Sequence, residues 1–513
     1  MFKNLLLILF VLLSVRGYTQ SSTDSLYTYE QTKNNITVAQ LNTNFLLNTD
    51  INRIGTSLFK YQRGNGGYRR AQQAQNTVIG SLRTEGINKF KKFITSGYFE
   101  FSRTWQDSLA WTTKGTEVDE QPYYYGSIKA GKYERFKYQL GGLASYSLID
   151  KKLYVGVGLD YLYNSATRSV DPRPEVNTFE LRLKPEILYK WKQHTIGVNA
   201  LWGYGREAAS ITYKNSMYNT GANGYPDRKN YLIQGYGFVT DNEGNDPLRR
   251  FDRYYGIGLS YSTSINTYSI KTSLNYKTIL EDNFKVFKNS IRRSYLSFYD
   301  TEKLSLFLGI DKVSAKFEHQ LLLKYDQQQA EDLNIIFYAI NYKYTDNLFN
   351  LSYLFKHNQS PSFQKEFGLK LNYSGIQRDD LATDHHANYS SIEPALVANL
   401  YFKLKNKDRF STGIDIGQRL PQKQFLSIPA NQVHVFTTGV VYPDYYYYNS
   451  KVWRTSLKAS YVTANVFSKF NAGLNLGLDY YKASLPSENI ASVAHGKPDD
   501  SFLRYNLSLN LYF

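Results

Sequence analysis

Hydrophobic and polar residues alternate with a period of two along most of the chain. Between Phe179 and Trp191 the odd-numbered positions are apolar or aromatic, whereas the even-numbered positions are mostly charged. Because successive side chains of a β-strand point to opposite faces, such a segment has one apolar face and one polar face. The pattern recurs at 136–148, 153–163, 196–204, 255–261, 268–277, 313–325, 367–373, 453–461 and 470–480. The chain is therefore predicted to be all-β.

These segments favour a transmembrane antiparallel β-barrel over a soluble β-sandwich. Many are longer than the 5–6 residues typical of soluble strands, and a tilted strand needs about 9–11 residues to cross a bilayer. Charged residues and glycines occupy the middle of the polar faces, as in a barrel with a polar lumen. Aromatic residues such as Tyr189, Trp191 and Trp202 end several segments, where rings would lie at the lipid headgroups. A large secreted all-β protein is the alternative.

The segments predict about 18 strands, within a range of roughly 16–20, and an even number is expected because bacterial single-chain barrels have one. Long polar connections are expected at 106–122, 207–249, 282–300, 377–391, 419–451 and 483–500. We expect a strand at 333–345 and short turns at 150–152, 192–193, 264–266, 311–312 and 346–347. Such alternation of long and short connections is typical of outer-membrane barrels, which have long external loops and short periplasmic turns.

The two ends of the chain carry features of an exported barrel. Lys3 precedes the apolar run from Leu5 to Leu13, which is too short to span a bilayer and matches a cleaved signal peptide at 1–19. The last alternating strand ends on Phe513. This ending resembles the signal by which the barrel-assembly machinery of Gram-negative bacteria recognises its substrates. We therefore expect a multi-pass barrel in the cell outer membrane, with outer-membrane lipid and lipopolysaccharide around it.

Residues 20–52 precede the first alternating segment and are polar and rich in Asn and Thr. They are too few for the full plug domain of a TonB-dependent receptor. We expect them to form a periplasmic N-terminal arm or a partial plug, followed by a β-barrel at 53–513.

Composition and charge exclude several other classes of protein. The chain has 42% hydrophobic residues, enough apolar area to exclude an intrinsically disordered protein. It has no cysteine, which excludes a disulfide scaffold, a cysteine enzyme and a lipoprotein anchor. The net charge of +17 would suit nucleic acid, but export takes the chain away from that partner.

The polar face of one segment supplies candidate residues for the lining of the lumen. They are Glu180, Arg182, Lys184, Glu186 and Lys190. The three cations could bias the lumen towards anions. Because two carboxylates share the same face, pairing of opposite charges across the lumen is the favoured interpretation.

Chemistry for catalysis or for metal binding is sparse. None of the seven histidines has a nucleophile or base partner at a spacing that indicates a catalytic site, and no Gly-x-Ser-x-Gly motif is present. We expect no enzyme activity and no cofactor. Asp384, His385 and His386 offer a carboxylate and imidazoles in one segment, a weak candidate for a metal site. A solvated external loop is the favoured alternative.

Two clusters of tyrosine stand out, at 123–125 and 445–448. Tyr445, Tyr446, Tyr447 and Tyr448 are candidates for stacking on a ligand or partner, because tyrosine offers a flat apolar face with a hydroxyl group. An aromatic girdle at the membrane interface is the favoured interpretation of both clusters.

Several stretches resemble a family of Bacteroidota outer-membrane β-barrel proteins of uncharacterised function. They are Gly66 to Gln72, Thr84 to Ile87, Gly97 to Phe101 and Asp171 to Asn177. Members of that family are thought to accompany TonB-dependent uptake systems. The resemblance implies a role in nutrient uptake, with iron or another metal as one class of cargo, and supplies no catalytic or binding residue.

Two functions are compatible with these features. The first is a pore, or a channel-like accessory component of nutrient uptake, because about 18 strands enclose a lumen wide enough for small solutes. The second is a plugged, non-transporting barrel that serves as a scaffold or surface-binding partner of another outer-membrane complex. A TonB-dependent transporter or a surface lipoprotein is the expected partner.

Overall fold

The computed structural model describes residues 28–513 except 117–119, 220–223, 243–244, 288–291, 359, 361, 465, 467–469 and 488–496. The predicted signal peptide at 1–19 and the first residues of the predicted arm lie outside the described residues. Signal-peptide cleavage therefore stays a prediction.

The described chain is dominated by long strands. In chain order the strands are β1 (Arg53–Gly66), β2 (Asn76–Lys89), β3 (Phe93–Leu109), β4 (Tyr123–Gly126), β5 (Gly131–Ile149), β6 (Leu153–Arg168), β7 (Arg173–Trp191), β8 (His194–Thr212), β9 (Tyr231–Gln234), β10 (Val239–Asp241), β11 (Leu248–Ile265), β12 (Tyr268–Val286), β13 (Arg293–Val313), β14 (Phe317–Asn334), β15 (Tyr342–His357), β16 (Phe363–Asp380), β17 (His385–Lys403), β18 (Arg409–Ser427), β19 (Lys451–Thr463), β20 (Asn471–Ser484) and β21 (Ser501–Tyr512).

Eighteen of these strands form one closed antiparallel barrel, in which each barrel strand pairs with the next barrel strand along the chain. β4, β9 and β10 instead form a separate three-stranded sheet. The barrel closes between its first and last strands, with Thr56 opposite Tyr512 and Gly66 opposite Phe502. Closure pairs the backbone groups of both edges, as a wall in contact with lipid requires. The predicted fold class and strand number are confirmed.

The two faces of the barrel wall differ as the alternation predicts. On β7, Ile187 is 61% exposed on the outside, whereas its neighbour Glu186 is 5% exposed inside. Apolar residues with similar outward exposure recur on other strands; examples are Val198, Leu259, Leu396 and Leu476. The outer surface is therefore an apolar belt suited to hydrocarbon. Among the described residues, none of the helices is a candidate membrane span.

The connections at the two ends of the barrel differ in length. The turns at 90–92, 150–152, 192–193, 266–267 and 314–316 are short and lie at the same end as Phe513. We call this the periplasmic end. The long connections at 110–130, 213–247, 428–450 and 485–500 leave from the opposite end, which we call the extracellular end. This arrangement confirms the predicted alternation of long and short connections.

Several predicted boundaries are wrong at the extracellular end. The strand predicted at 333–345 is interrupted between β14 and β15, and Asp346 and Asn347 lie within β15 rather than in a turn. The long connections predicted at 282–300 and 377–391 are largely strand, since β12 and β13 pair as far as Val286 and Arg293. Strands that extend past the membrane carry polar residues on both faces. Alternation therefore ends before the hydrogen-bonded ladder does.

Besides single-turn helices at 216–219, 226–228, 430–432 and 437–441, the described chain contains three α-helices. α1 (Glu30–Ala39) and α2 (Thr43–Leu47) precede the barrel, and α3 (Tyr442–Tyr448) lies in the connection between β18 and β19. The Asn42 side chain accepts a hydrogen bond from the backbone N–H of Phe45 at 2.8 Å and caps α2. α2 and α3 pack against the inside of the wall, and α1 bonds to it through Gln31, whose Nε2 donates to the Leu354 carbonyl oxygen at 3.1 Å.

Candidate functional site

The lumen is filled from the periplasmic end by residues 28–52, which we call the N-terminal plug. Polar side chains of this segment bond to the polar wall. The Thr43 backbone N–H donates to Glu186 Oε2 at 3.1 Å, and Asn44 Nδ2 donates to Ser260 Oγ at 3.0 Å. Farther round the wall, Asn34 Nδ2 donates to Gln320 Oε1 at 2.8 Å. The Asn- and Thr-rich composition of this segment therefore matches a polar, and not an apolar, surface.

A smaller apolar contact also holds the N-terminal plug. Phe45 is fully buried, and its ring centroid lies 5.7 Å from that of Phe307 on β13. Leu46 and Ile51 pack with Ile54, Ile87 and Ile94 at the periplasmic ends of the first strands. Because β13 lies across the barrel from β1–β3, these contacts tie the plug to opposite sides of the wall.

The lumen is filled from the extracellular end by loops that fold inward. We call the described parts of 67–75, 110–130, 213–247 and 428–450 the extracellular plug. Its three-stranded sheet joins β4 to β9 and β9 to β10. Its main apolar cluster packs loop residues against inward residues of the wall: Trp111, Tyr124, Tyr231, Ile233, Phe436, Val440, Tyr445 and Tyr446 from the loops, and Tyr299, Tyr342, Tyr344 and Tyr389 from the wall.

The two tyrosine clusters belong to the extracellular plug. Tyr445 and Tyr446 are buried, as are the tyrosines at 123–125. Tyr447 stacks on Tyr68 with ring centroids 4.9 Å apart, and Tyr448 stacks on Tyr389 at 5.0 Å. The interpretation as a membrane-interface girdle is wrong, because the loops that carry these residues turn into the barrel instead of lying along its rim.

The residues predicted as metal ligands lie at the extracellular ends of β16 and β17, where they make hydrogen bonds with other groups of the protein. Nδ1 and Nε2 of His386 lie 2.8 Å from carboxylate oxygens of Asp379 and Asp384, respectively. His385 contacts the carbonyl oxygen of Thr383 and the hydroxyl group of Thr437. Among the described residues, no group of three or more His, Asp or Glu side chains is placed to hold a metal ion.

The predicted lumen-lining residues face inward between the two plugs. Lys184 Nζ lies 2.7 Å from Asp160 Oδ2, and Arg182 lies 3.8 Å from Glu180. Lys190 Nζ lies 3.5 Å from Asn48 Oδ1 of the N-terminal plug, and Glu186 accepts a hydrogen bond from the backbone N–H of Thr43. The contacts of this face therefore pair opposite charges and anchor the plug.

A cavity between the extracellular plug and the wall contains a cluster of cations that sequence analysis missed. Arg70, Lys114, Arg135 and Arg378 line it, and Asp444 is the one carboxylate among its described lining residues. Burial, reinforced by the charge of Arg378, lowers the pKa of Lys114 to about 7. Burial also raises the pKa of Asp444. Three of the four cations are at least nine-tenths buried: Lys114, Arg135 and Arg378.

Tyrosines and glutamines complete the lining of this cavity. Tyr124, Tyr236 and Tyr342 supply ring surface, and Gln72, Gln73 and Gln121 supply amides. Lys114 Nζ lies 4.1 Å from the centroid of the Tyr124 ring, a cation–π contact. Gln72 Nε2 donates to the Trp111 carbonyl oxygen at 2.7 Å and to the Tyr124 hydroxyl group at 2.6 Å. These residues come from distant parts of the chain, so no local sequence motif predicts the cavity.

Comparisons with solved structures identify several similar proteins. The chain is similar to the ferric preacinetobactin receptor BauA from Acinetobacter baumannii, with 9% identity, coverage of 90% of this chain and 80% of that chain, and a TM-score of 0.38. It is also similar to a mutant of the ferric enterobactin receptor PfeA from Pseudomonas aeruginosa, with 9% identity, coverage of 90% of this chain and 80% of that chain, and a TM-score of 0.39. A third similar structure is the CymD monoaromatic hydrocarbon channel, with 11% identity, coverage of 92% of this chain and 91% of that chain, and a TM-score of 0.31.

A search of curated protein sequences found no match. The predicted Bacteroidota affiliation and the association with TonB-dependent uptake stay predictions. A family model matches residues 17–513, and the chain therefore belongs to the family of unknown function DUF6850.

Proposed function

We propose that this protein is a gated nutrient-uptake barrel of the outer membrane, shut at both ends by its own chain until a solute or partner moves the plugs. One observation carries the proposal. The N-terminal plug bonds to the lumen wall at Glu186 from the periplasmic end, and the extracellular plug packs around Trp111 and Tyr446 from the other. This filling favours a gated barrel over a permanently open pore.

The N-terminal plug is suited to movement. Within the described residues its covalent link to the barrel is at its C-terminal end, where β1 begins at Arg53, so it can swing without breaking a strand pair. Its helices have 10 and 5 residues, too short to be stable alone, and hydrogen bonds hold much of its surface. A typical hydrogen bond contributes about 0.5–1.5 kcal/mol net, so a handful can be exchanged at a modest cost.

A plugged scaffold or surface-binding protein is the second candidate. The observation that favours it is the depth to which the extracellular plug fills the barrel mouth, with Trp111, Phe436 and Tyr446 buried. A barrel of this kind would need no passage for solute. Its partner would be a TonB-dependent transporter or a surface lipoprotein, bound at the extracellular or periplasmic end.

A reversible lock on the N-terminal plug separates the two candidates. A Cβ atom built on Gly156 lies 2.9 Å from Cβ of Thr43, closer than the roughly 3.8 Å that a disulfide spans, so the plug must shift by about 1 Å to accommodate the bond. Because the chain has no cysteine, Thr43→Cys with Gly156→Cys introduces one defined pair. The variant replaces the wild-type protein in the source organism, beside a strain that lacks the protein and each single-cysteine control.

Uptake of radiolabelled iron, copper and single carbon sources is then measured before and after mild reduction. Gated uptake predicts that the deletion strain loses at least one nutrient, that the oxidised double variant matches it, and that reduction restores uptake. If the oxidised variant supports normal uptake while a partner still co-purifies with it, the scaffold is the better account. Normal uptake of every nutrient by the deletion strain contradicts a transport role.

A further inference from the structure

Exposed lysines are concentrated at the periplasmic end of the barrel. Eleven lie in the short turns of that end or within three residues of a turn: three at 89–92, two at 151–152, three at 403–407 and one each at 192, 316 and 365. We call them the periplasmic lysines. In the described parts of the same stretches, and in the segment that leads into β1, the exposed carboxylates are Asp50 and Asp150. This end of the barrel is therefore strongly positive.

The periplasmic lysines differ in their partners from exposed lysines at the extracellular end. There, Lys129 Nζ lies 3.3 Å from a carboxylate oxygen of Asp227, and Lys482 pairs with Asp500. None of the periplasmic lysines forms an ion pair with another described residue. Their charge is therefore not neutralised by side chains of the described chain.

Three of the periplasmic lysines occupy backbone positions that do not suit lysine. Lys151, Lys192 and Lys407 have φ angles of 57°, 52° and 72°, in the left-handed region. Glycine and asparagine adopt this region most readily, and the turn between β11 and β12 has Asn266 there, with a φ of 53°. The other three turns carry a lysine where asparagine would relieve backbone strain. A requirement for positive charge accounts for this strain.

Apolar side chains border the periplasmic lysines on the membrane side. Phe90, Leu148, Ile149 and Trp191 are each more than half exposed and lie in or beside the same turns. Lys192 Nζ lies 5.3 Å from the centroid of the Trp191 ring. Exposed aromatic rings at the edge of an apolar belt lie at the level of the lipid headgroups. The ammonium groups beside them therefore lie at the same level.

The periplasmic lysines are also spread around the barrel. The turns that carry them join β2 to β3, β5 to β6, β7 to β8, β13 to β14, β15 to β16 and β17 to β18. A protein bound at one side of the barrel would contact only part of this ring. Membrane lipid surrounds all of it.

We propose that the periplasmic lysines bind the headgroups of anionic phospholipids in the periplasmic leaflet of the outer membrane. Basic residues near an anionic membrane surface are attracted to it over about a Debye length, roughly 8–10 Å. Lysine carries a compact charge on a flexible stem, which can follow mobile lipid phosphates. A zwitterionic lipid has no net charge and is attracted less. The proposal applies equally to a gated barrel and to a plugged scaffold, so it does not depend on the proposed function.

Quenching of Trp191 fluorescence by brominated phospholipids tests the proposal. A variant with Trp191 as its only tryptophan, the others being replaced by phenylalanine, is placed in phosphatidylcholine vesicles that contain brominated phosphatidylglycerol or brominated phosphatidylcholine. The ratio of the two quenching efficiencies gives the preference for anionic lipid beside Trp191. We expect a preference of about fivefold, the effect of about one lysine near an anionic surface. Equal quenching would overturn the proposal, and is expected if the lysines instead serve an acidic protein or the cell wall.

A second variant retains only Trp453 and reports on the extracellular end. Trp453 is also about half exposed on the outside of the barrel, and Lys482 lies directly opposite it on β20. Because Lys482 pairs with Asp500, we expect little preference for the anionic lipid there. An equal preference beside Trp191 and Trp453 would reflect the net charge of the whole chain and would contradict a periplasmic site.

Paired substitutions tie the preference to the lysines. The turns that carry Lys151 and Lys192 are neighbours, since the Lys190 N–H donates to the Lys152 carbonyl oxygen at 2.7 Å. Lys151→Asn with Lys192→Asn removes two charges near Trp191, and asparagine suits the φ of both positions. We expect the preference to fall at least twofold, with the barrel still folded and heat-modifiable in gels. Lys151→Arg with Lys192→Arg is the matched control and should keep the preference. No loss in the Asn pair, or an equal loss in the Arg pair, would overturn the proposal.

Inorganic phosphate distinguishes a lipid headgroup from a soluble anion. At equal ionic strength, phosphate and chloride should weaken the preference equally, because both act by screening. A much larger effect of phosphate would indicate a site for a soluble anion and would overturn the assignment to lipid.

Discussion

The Glu186 carboxylate accepts two hydrogen bonds from Thr43, one from the backbone N–H at 3.1 Å and one from the hydroxyl group. Glu186 lies on the lumen face of β7, and Thr43 begins α2 of the N-terminal plug. Ser260 of β11 donates to the same carboxylate at 3.0 Å. One buried side chain therefore joins the plug to two strands of the wall.

Removal of this carboxylate should loosen the N-terminal plug. Glu186→Ala leaves the Thr43 N–H and two hydroxyl groups without an acceptor, and hydrogen bonds to charged groups contribute about 1.5–3 kcal/mol. The displaced plug should become about 10–100-fold more populated, since each 1.4 kcal/mol is a factor of ten. Hydrogen exchange of the amides at 28–52 measures this population. The control is Glu180→Ala on the same strand face, and equal protection in both variants would count against the anchor.

Packing of Phe45 should matter as much as the polar contacts. Phe45→Ala empties a fully buried site beside Phe307, and such truncations cost about 3–5 kcal/mol. We expect rapid proteolysis within the N-terminal plug while the barrel strands stay resistant. Leu41→Ala is the matched control, because Leu41 lies in the same segment and is 41% exposed. Cleavage of both variants at the wild-type rate would show that the plug does not depend on this contact.

Lys114 should make stability depend on pH. Its pKa is lowered to about 7 in the folded protein from 10.5. Between these values the unfolded chain binds a proton that the folded chain does not, so stability rises with pH through this window and is lowest below pH 7. In Lys114→Met this contribution disappears, and melting temperatures between about pH 6 and pH 10 should rise less steeply. Lys151→Met, in an exposed periplasmic turn, should keep the wild-type slope. Identical slopes for wild type and Lys114→Met would refute the prediction.

Phe513 should be needed for assembly rather than for the stability of the finished barrel. Its ring is 42% exposed beyond the end of β21, where it meets Phe470 at a centroid distance of 6.2 Å. We expect Phe513→Ala to reduce the fraction of chain that migrates as a folded, heat-modifiable barrel in gels of outer-membrane fractions. Leu503→Ala, a similarly exposed residue at the other end of the same strand, should assemble normally. Comparable assembly of the two variants would argue against a terminal signal.

The wall of this barrel could be predicted from the sequence, because each strand carries its own evidence. The alternation around Glu186 and Ile187 is local and needs no knowledge of the rest of the chain. It fails only where both faces are polar, as at Asp346 and Asn347, where strands continue beyond the membrane. There the ladder of backbone hydrogen bonds persists without a difference in polarity between the faces.

The interior could not be predicted in the same way. Tyrosines such as Tyr445 and Tyr446 suit a membrane girdle, a ligand platform or a buried plug equally well. Only the path of the loop shows which of these three roles they have. Arg378 is separated from Arg70 and Lys114 by hundreds of residues, so their juxtaposition depends on closure of the barrel. The polar residues of 28–52, such as Asn44, were compatible with either an arm or a partial plug, because a polar lumen, like water, accepts polar side chains.

The conductance of single molecules in a planar bilayer tests the central claim, that two separate plugs made by the chain itself close the lumen. Four forms are compared: the complete mature protein, a form without residues 20–52, a form with residues 430–448 replaced by a short Gly-Ser linker, and a form with both changes. We predict that the complete protein passes no steady current and that the doubly altered form is a stable open channel. A steady open current through the complete protein, as large as that of the doubly altered form, would contradict the account.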